Sequence, residues 1–383
     1  MKKPAEPRHP ARVVPGPVPP GAARDLAAAR PGPLATVYIP LERSFPESKQ
    51  NAVLQRQAAA ALEKRLGEAG LSSSDAAAWS ARLAAVETDV RALEAPVSGL
   101  AAFLDAKELR AYTLVFPVAF HVNLGDHFSL RPLLQEAARD HLYRLLALSV
   151  NRVAMFEGSA RGLKPSPMPN LPASMAAALD LAPQPVTLRS RTETLSHDRA
   201  GGTAERAEDL IHFHRAVARA LEGIPNPELP LVLAADATQQ GEFRAIARTP
   251  GLIPEGVMCN PDYMLPGDLH ARAWPLVEGA AAREEREAAA GYERARNTGK
   301  GLDLLDDVVE AALRGRVRRL WLDAEKRVPG RIDDGSARVV PSDGPDADVL
   351  EALASIVLGK GGDVIVAEPS RMPAGTGVAA ELR

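Results

Sequence analysis

The chain has 383 residues, 46% of them hydrophobic but only 4% aromatic, and a formal net charge of −3. That is enough apolar material for two or three domains with cores of alanine, leucine and valine, while the slight acidity excludes a protein that binds nucleic acid over its whole surface, so RNA contacts must come from local basic patches. A single cysteine, Cys259, excludes an intramolecular disulfide and a Cys-rich zinc site, and reads as a small hydrophobe in a reducing compartment.

Lys2 and Lys3 are not followed by an apolar run, so the start does not read as a signal peptide, and nothing approaches the ~20 apolar residues of a membrane span. The expectation is a cytoplasmic protein with no membrane contact, monomeric off its partner. Residues 1–33 carry nine prolines and scattered Lys and Arg, the composition of a disordered arm. Ala35–Leu41 reads as a strand, Glu47–Gly70 and Ser72–Glu94 as amphipathic helices, and Ser98–Leu104 and Tyr112–Val118 as short strands. These make an N-terminal α/β domain over 34–128.

His141–Phe156 has the pattern of two strands about a turn at Ser149–Asn151, and Leu171–Leu181 of a short helix. The segment from Arg189 to Gly202 is polar and basic. From Thr203 a helical period begins at once, with Ala204, Ala207, Leu210, Ile211, His214, Val217, Ala218 and Leu221 on one face, and Gly223 ends it. Thr203 stands as N-cap. Leu229–Ala235 is a continuous apolar run suited to a buried parallel strand, and the middle domain spans 129–272. A charged helix over 281–298, a helix Leu302–Arg314, a strand Arg316–Leu322, a surface loop 329–348, a helix Val349–Leu358 and a strand Asp363–Ala367 complete a third α/β domain, 273–383.

Few constellations carry chemistry. Gly359–Lys360–Gly361–Gly362 runs helix to strand, the wrong way for a phosphate loop, and reads as a C-terminal helix turn. His212 and His214, two apart on a helix, point away from each other and do not make a metal pair. Asp236 and Glu242 near a central strand lack a visible base, so no catalytic set assembles. No cofactor or metal is expected. Arg314, Arg316, Arg318 and Arg319 are the densest basic cluster; alternation puts Arg316 and Arg318 on one face, suited either to phosphate or to a solvated strand edge. Taken alone, Gly201–Gly202–Thr203 reads as a turn and a cap.

Several segments in order, among them SGLAAFL (98–104), YRLLALSVNRVAMFEG (143–158), LVLAADATQQGEFRAI (231–246), VVEAALRGRVRRLWL (308–322) and GGDVIVAEPSRMP (361–373), resemble the bacterial branch of the archaeo-eukaryotic class-1 peptide-chain release factor and pelota superfamily. The resemblance covers about 34–383. It implies a three-domain, tRNA-shaped factor whose middle domain is ribonuclease-H-like and whose last domain resembles kink-turn RNA-binding ribosomal proteins. In that family a Gly-Gly-Gln tip precedes a long helix; the matching positions are Gly201, Gly202 and Thr203. Arg189, Arg191, His197, Arg199 and Arg206 would line such a tip against phosphate, and Arg316 and Arg318 are further RNA-binding candidates. The implied partners are the ribosome, through rRNA and tRNA, and a translational GTPase. Thr203 lacks the carboxamide that places a water against the peptidyl-tRNA ester, and the first domain has no Asn-Ile-Lys-Ser stop-codon motif. The expected function is therefore occupation of the ribosomal A site in rescue or hibernation without strong catalysis. The alternatives are a peptidyl-tRNA hydrolase using the same tip and an α/β protein unrelated to ribosomes.

Overall fold

The computed structural model describes residues 13–19, 21–29, 32–44, 46–93, 96–179, 202–342, 344 and 347–383, with side chains left out at 202–206. It divides into two compact units, Met1–Asp140 with Arg286–Arg383, and His141–Glu285. The fold class is mixed α/β, and each of its three principal sheets draws on one consecutive stretch of chain.

The N-terminal stretch forms a five-stranded sheet from β1 (Gly16–Pro17), β2 (Leu34–Pro40), β3 (Gly99–Leu104), β4 (Leu109–Leu114) and β5 (His121–Gly125), in the order β1-β4-β3-β2-β5. Strand β2 is buried along almost its whole length because both faces are covered. Its period of two sends Ala35, Val37 and Ile39 to one core and Leu34 and Tyr38 to the other. Helices α2 (Gln50–Glu68) and α3 (Ser73–Ala84) cover the first face with Leu62, Leu66, Trp79 and Leu83. The second helix stops at Ala84, ten residues short of the end that its pattern predicts. Its start is defined by Ser72, whose Oγ accepts from the Asp75 amide at 3.1 Å.

The opposite face draws on residues 16–17 and 22–27 of the expected disordered arm, while 1–12 lie outside the described residues. Residues 16–17 pair in parallel with β4, and α1 (Ala22–Ala27) buries Ala22 and Leu26 against Phe103, Phe128 and Leu358. Proline content masked two apolar residues spaced one helical turn apart, and burying one leucine alone stabilises by roughly 1.5–3 kcal/mol. Helix α4 (Arg131–Arg139) closes this face and lies in the first unit, although residues 129–140 were expected in the middle domain.

The second unit holds β6 (Tyr143–Leu148), β7 (Val153–Ser159), β8 (Gly162–Pro165), α5 (Met175–Ala178), α6 (Gly202–Leu221), β9 (Leu231–Ala235), α7 (Ala237–Ile246) and β10 (Val257–Met258). The sheet order is β10-β9-β6-β7-β8; β10, β9 and β6 are mutually parallel, and β7 and β8 alternate in direction. This is the ribonuclease-H-like order that the resemblance implies. The run LVLAA of β9 is buried throughout, Leu231, Leu233 and Ala235 against α6 and α7, Val232 and Ala234 against the first turns of α8 (Pro266–Asn297). That helix begins fifteen residues before the charged segment that announces it, and the division between units falls within it.

The last stretch contributes β11 (Gly301–Leu302), α9 (Leu305–Leu313), β12 (Val317–Asp323), α10 (Val349–Gly359), β15 (Asp363–Ala367) and β16 (Val378–Leu382) to a sheet ordered β11-β16-β12-β15. Between β12 and α10, where a loop is expected over 329–348, the hairpin β13 (Arg331–Asp333) and β14 (Arg338–Val340) forms instead. Within the first unit this stretch is fastened to the N-terminal one by a buried ion cluster. Arg131 Nη2 lies 2.5 Å from Asp348 Oδ2 and its Nε 3.0 Å from Glu351 Oε1, while Nη1 donates to the carbonyls of Asp323 and Lys326. Glu351 Oε2 also accepts from the backbone amides of Leu130 and Arg131.

Candidate functional site

Helix α6 is the element on which the functional reading rests, because it begins at the proposed tip. Gly202 is its first residue, and Thr203 and Arg206 lie in its first turns. Arg189, Arg191, His197, Arg199 and Gly201 lie outside the described residues, as do the side chains of Thr203 and Arg206.

From Ala207 onward the helix can be followed atom by atom. Phe213, His214, Val217 and Leu221 are fully buried and Leu210 half-buried, whereas Ile211 is exposed. The buried stripe thus runs 210, 213, 214, 217, 221, rotated from the expected one because Phe213, omitted from that face, brings the largest apolar surface to the core. His212 is exposed and His214 buried, so the two point apart as their spacing demands. The helix ends at Leu221 through a tight turn in which the Ile224 amide donates to the Leu221 carbonyl.

His214 joins α6 to α7. Its Nε2 lies 2.7 Å from Gln239 Oε1, which places the proton on Nε2 and leaves Nδ1 buried with no hydrogen-bond partner. The neighbouring Gln240 donates through Nε2 to the Leu233 and Val257 carbonyls, holding α7 across β9 and β10. A Cβ on Gly256 would stand 2.3 Å from Gln240 Oε1, so this packing leaves room only for glycine. Asp236 is the N-cap of α7, accepting from the Gln239 amide at 2.9 Å, and Glu242 keeps one buried oxygen unpartnered; neither meets a base. At the carboxyl ends of the parallel strands Ser149 and Asn151 both donate to the Asp262 carboxylate. Cys259 is half-buried against the same core, and burial raises its thiol above the usual value, which keeps it protonated and unreactive. Among the described residues no group of three or more His, Cys, Asp or Glu side chains is placed to hold a metal, and no helix is long and apolar enough to cross a membrane.

The buried imidazole of His214 and the half-buried one of His270 give this unit a pH dependence. Desolvation holds His214 below its usual value, outweighing the Gln239 bond and the charges of Glu242 and Asp236, and it does the same to His270, stacked on Tyr143. The unfolded chain takes up these protons near pH 6.5 and the folded chain only at lower pH. The stability they contribute is therefore fully present above about pH 7 and falls as pH drops through 6.5 toward the depressed folded values. Denaturation midpoints measured at pH 7.5 and 5.5 are expected to drop, and to drop less in His214→Gln. An identical drop in that variant would remove His214 from the account.

Arg316 and Arg318 lie elsewhere, in the first unit. Arg316 is exposed just before β12. Strand β12 is interior to its sheet, not an edge, and its register shifts between Val317 and Arg319. Arg318 Nη1 pairs with Glu381 at 2.8 Å, and Arg319 approaches the same carboxylate at 3.9 Å while lying over the Trp321 ring. The two candidates therefore differ: Arg318 has an intramolecular partner and Arg316 has none among the described residues.

Residues 142–316 match the model of the bacterial archaeo-eukaryotic release factor family 3. Over that segment, which contains the whole ribonuclease-H-like sheet and α6, the chain is similar to the bacterial archaeo-eukaryotic release factors, the branch that its motifs resemble. No curated protein matches. Among solved structures the chain is similar to the archaeal translation termination factor aRF1, with 16% identity over 94% of this chain and 98% of that one at a TM-score of 0.23. It is similar to Dom34 of S. cerevisiae at 14% identity over 75% and 73%, TM-score 0.36. A model of ribosome-bound archaeal Pelota and ABCE1 gives 13% identity over 94% and 92%, TM-score 0.37.

Proposed function

We propose that this protein is a translation factor that occupies the ribosomal A site in rescue or hibernation, with little or no peptidyl-tRNA hydrolysis. The observation that carries the reading is the release-factor match over 142–316, a segment that includes the sequence Gly201–Gly202–Thr203 and in which α6 begins at Gly202. Two glycines give a narrow tip backbone freedom denied to other residues. The helix behind them is anchored by Phe213, Val217, Leu221 and the His214–Gln239 bond, so a load on the tip is borne by the sheet. Threonine in place of glutamine keeps the backbone N–H at 203 but removes the carboxamide. Partners in this reading are rRNA, peptidyl-tRNA and a translational GTPase.

Sedimentation through a sucrose cushion tests it. The purified protein is expected to travel with bacterial ribosomes bearing stalled peptidyl-tRNA or recovered from starved cells, and to be released as salt rises. Failure to co-sediment with either population at low salt would rule the reading out.

A further inference from the structure

Three helices end within the first unit at one corner of the C-terminal sheet, and they end identically. In each, a glycine in left-handed backbone follows the last turn: Gly299 after α8 (φ 73°), Gly315 after α9 (φ 67°) and Gly361 after α10 (φ 76°). In each, the next amide reaches back to the carbonyl five residues earlier: Lys300 to Ala295 at 2.8 Å, Arg316 to Ala311 at 2.9 Å, Gly362 to Val357 at 2.9 Å. These are Schellman motifs, in which the helix satisfies its own terminal carbonyls. They converge because the last strand ties them together. The Leu382 amide donates to the Lys300 carbonyl, the Arg383 amide to the Arg316 carbonyl, and the Arg383 guanidinium to the Lys360 carbonyl.

The residue after the left-handed glycine is ordinarily apolar and packs back on the helix. Here Lys300 and Arg316 hold that place, both exposed, and Lys360 sits exposed in the third turn. None of these three cations has an ion-pair partner among the described residues. Arg383, whose guanidinium donates to the Lys360 carbonyl, is a further cation outside any ion pair among the described residues, while Arg318 and Arg319 share Glu381, Arg314 meets Glu310, and Arg24 meets Asp363. Eight cationic side chains against three carboxylate side chains leave a surplus of five positive charges. The three helix C-termini offset roughly half a charge each, so the corner stays positive on a chain whose net charge is −3. Capping does not account for Lys300, Arg316 and Lys360, since the Schellman bonds already satisfy the carbonyls.

We propose that the corner built by Lys300, Arg316 and Lys360 grips the phosphate backbone of structured RNA. The inference rests on the ribosomal reading for its choice of polyanion. Long cations on rigid turns with no base-reading aromatic beside them suit sequence-independent phosphate contact.

The test uses the full chain and its Lys300→Ala/Arg316→Ala/Lys360→Ala triple variant, with a fluorescein-labelled 30-nucleotide RNA hairpin followed by anisotropy between 50 and 300 mM KCl. The variant is expected to bind about tenfold more weakly or worse at 150 mM. Its slope of log affinity against log salt should shrink by about 2.7, three contacts at roughly 0.9 each on a duplex stem. Its melting curve should match wild type, because all three side chains are exposed. A control removing three exposed cations elsewhere in the unit, Arg56→Ala/Lys64→Ala/Lys107→Ala, should stay within about twofold of wild type. Equal weakening in the control, an unchanged slope in the first variant, or a loss confined to anionic phosphatidylserine vesicles with RNA binding intact would each overturn the inference. Ribosome sedimentation separates the two claims. A triple variant that co-sediments and binds the hairpin like wild type sinks this site and leaves the ribosomal reading. Wild type that grips the hairpin through these residues but ignores ribosomes does the reverse.

Discussion

Replacing Arg131 by methionine is expected to destabilise the first unit by about 3–5 kcal/mol, read as a lower denaturant midpoint and an earlier thermal transition. The side chain is only 9% exposed, and its partners Asp348 and Glu351 are 4% and 9% exposed. Removing the guanidinium leaves Glu351 facing no cation and Asp348 with only the exposed Arg327 at 3.8 Å, and it takes a donor from the carbonyls of Asp323 and Lys326. Burial of an uncompensated charge, not the loss of the ion pairs as such, supplies the cost. Arg131→Met combined with Asp348→Asn and Glu351→Gln should therefore recover part of it, because neutral amides stay buried at a lower penalty. Asp348 also caps α10, accepting from the Leu350 amide at 3.1 Å, a bond that asparagine keeps. A cost below about 1 kcal/mol for the single change would mean the cluster does not fasten the unit.

The second large effect is chemical. Wild-type protein is expected to leave peptidyl-tRNA on a stalled ribosome intact, whereas Thr203→Gln should release nascent peptide at least tenfold faster, about 1.4 kcal/mol of barrier. A glutamine carboxamide orients water where the threonine hydroxyl cannot reach, while the backbone N–H at 203 is common to both and available to an oxyanion. Gly202→Ala in the glutamine background should cancel the gain. Rapid release by wild type, abolished in Gly202→Ala, would instead make this protein a hydrolase.

Apolar runs were the legible part of the fold. LATVYIP and LVLAA declare themselves as strands because burial on both faces demands unbroken hydrophobicity, DVIVA does so by its β-branched run alone, and the bounds of all three agree with the structure to within a residue or two. Short or composite elements were not legible. Strand β5 (HVNLG) and helix α4 (RPLLQEAAR) lack a clean period because each packs through only two or three residues. Helix α1 hides among prolines, and on α6 Phe213 falls outside the predicted stripe because an aromatic beside two histidines breaks the period. At the candidate sites the limit was distance along the chain. Arg318 reads as a free cation until Glu381, 63 residues on, arrives beside it. Gln239 meets His214 from a different helix. The turn at Gly361 reads as a helix stop, but only the sheet brings its basic neighbour together with those of Gly299 and Gly315.

The ion cluster of Arg131 also bears on how the chain is made. Its partners lie 217 and 220 residues further on, beyond the whole of the second unit. At synthesis rates of roughly 5–20 residues per second, an emerging Arg131 waits on the order of ten to forty seconds for them. During that interval the second unit, consecutive in sequence, can complete its sheet, while the N-terminal sheet stands with Phe103, Phe128 and Leu133 lacking the cover of α10. A protein proposed to serve ribosomes in trouble thus spends part of its own birth half-covered beside one, and that open face is where a chaperone or a premature aggregate would first take hold.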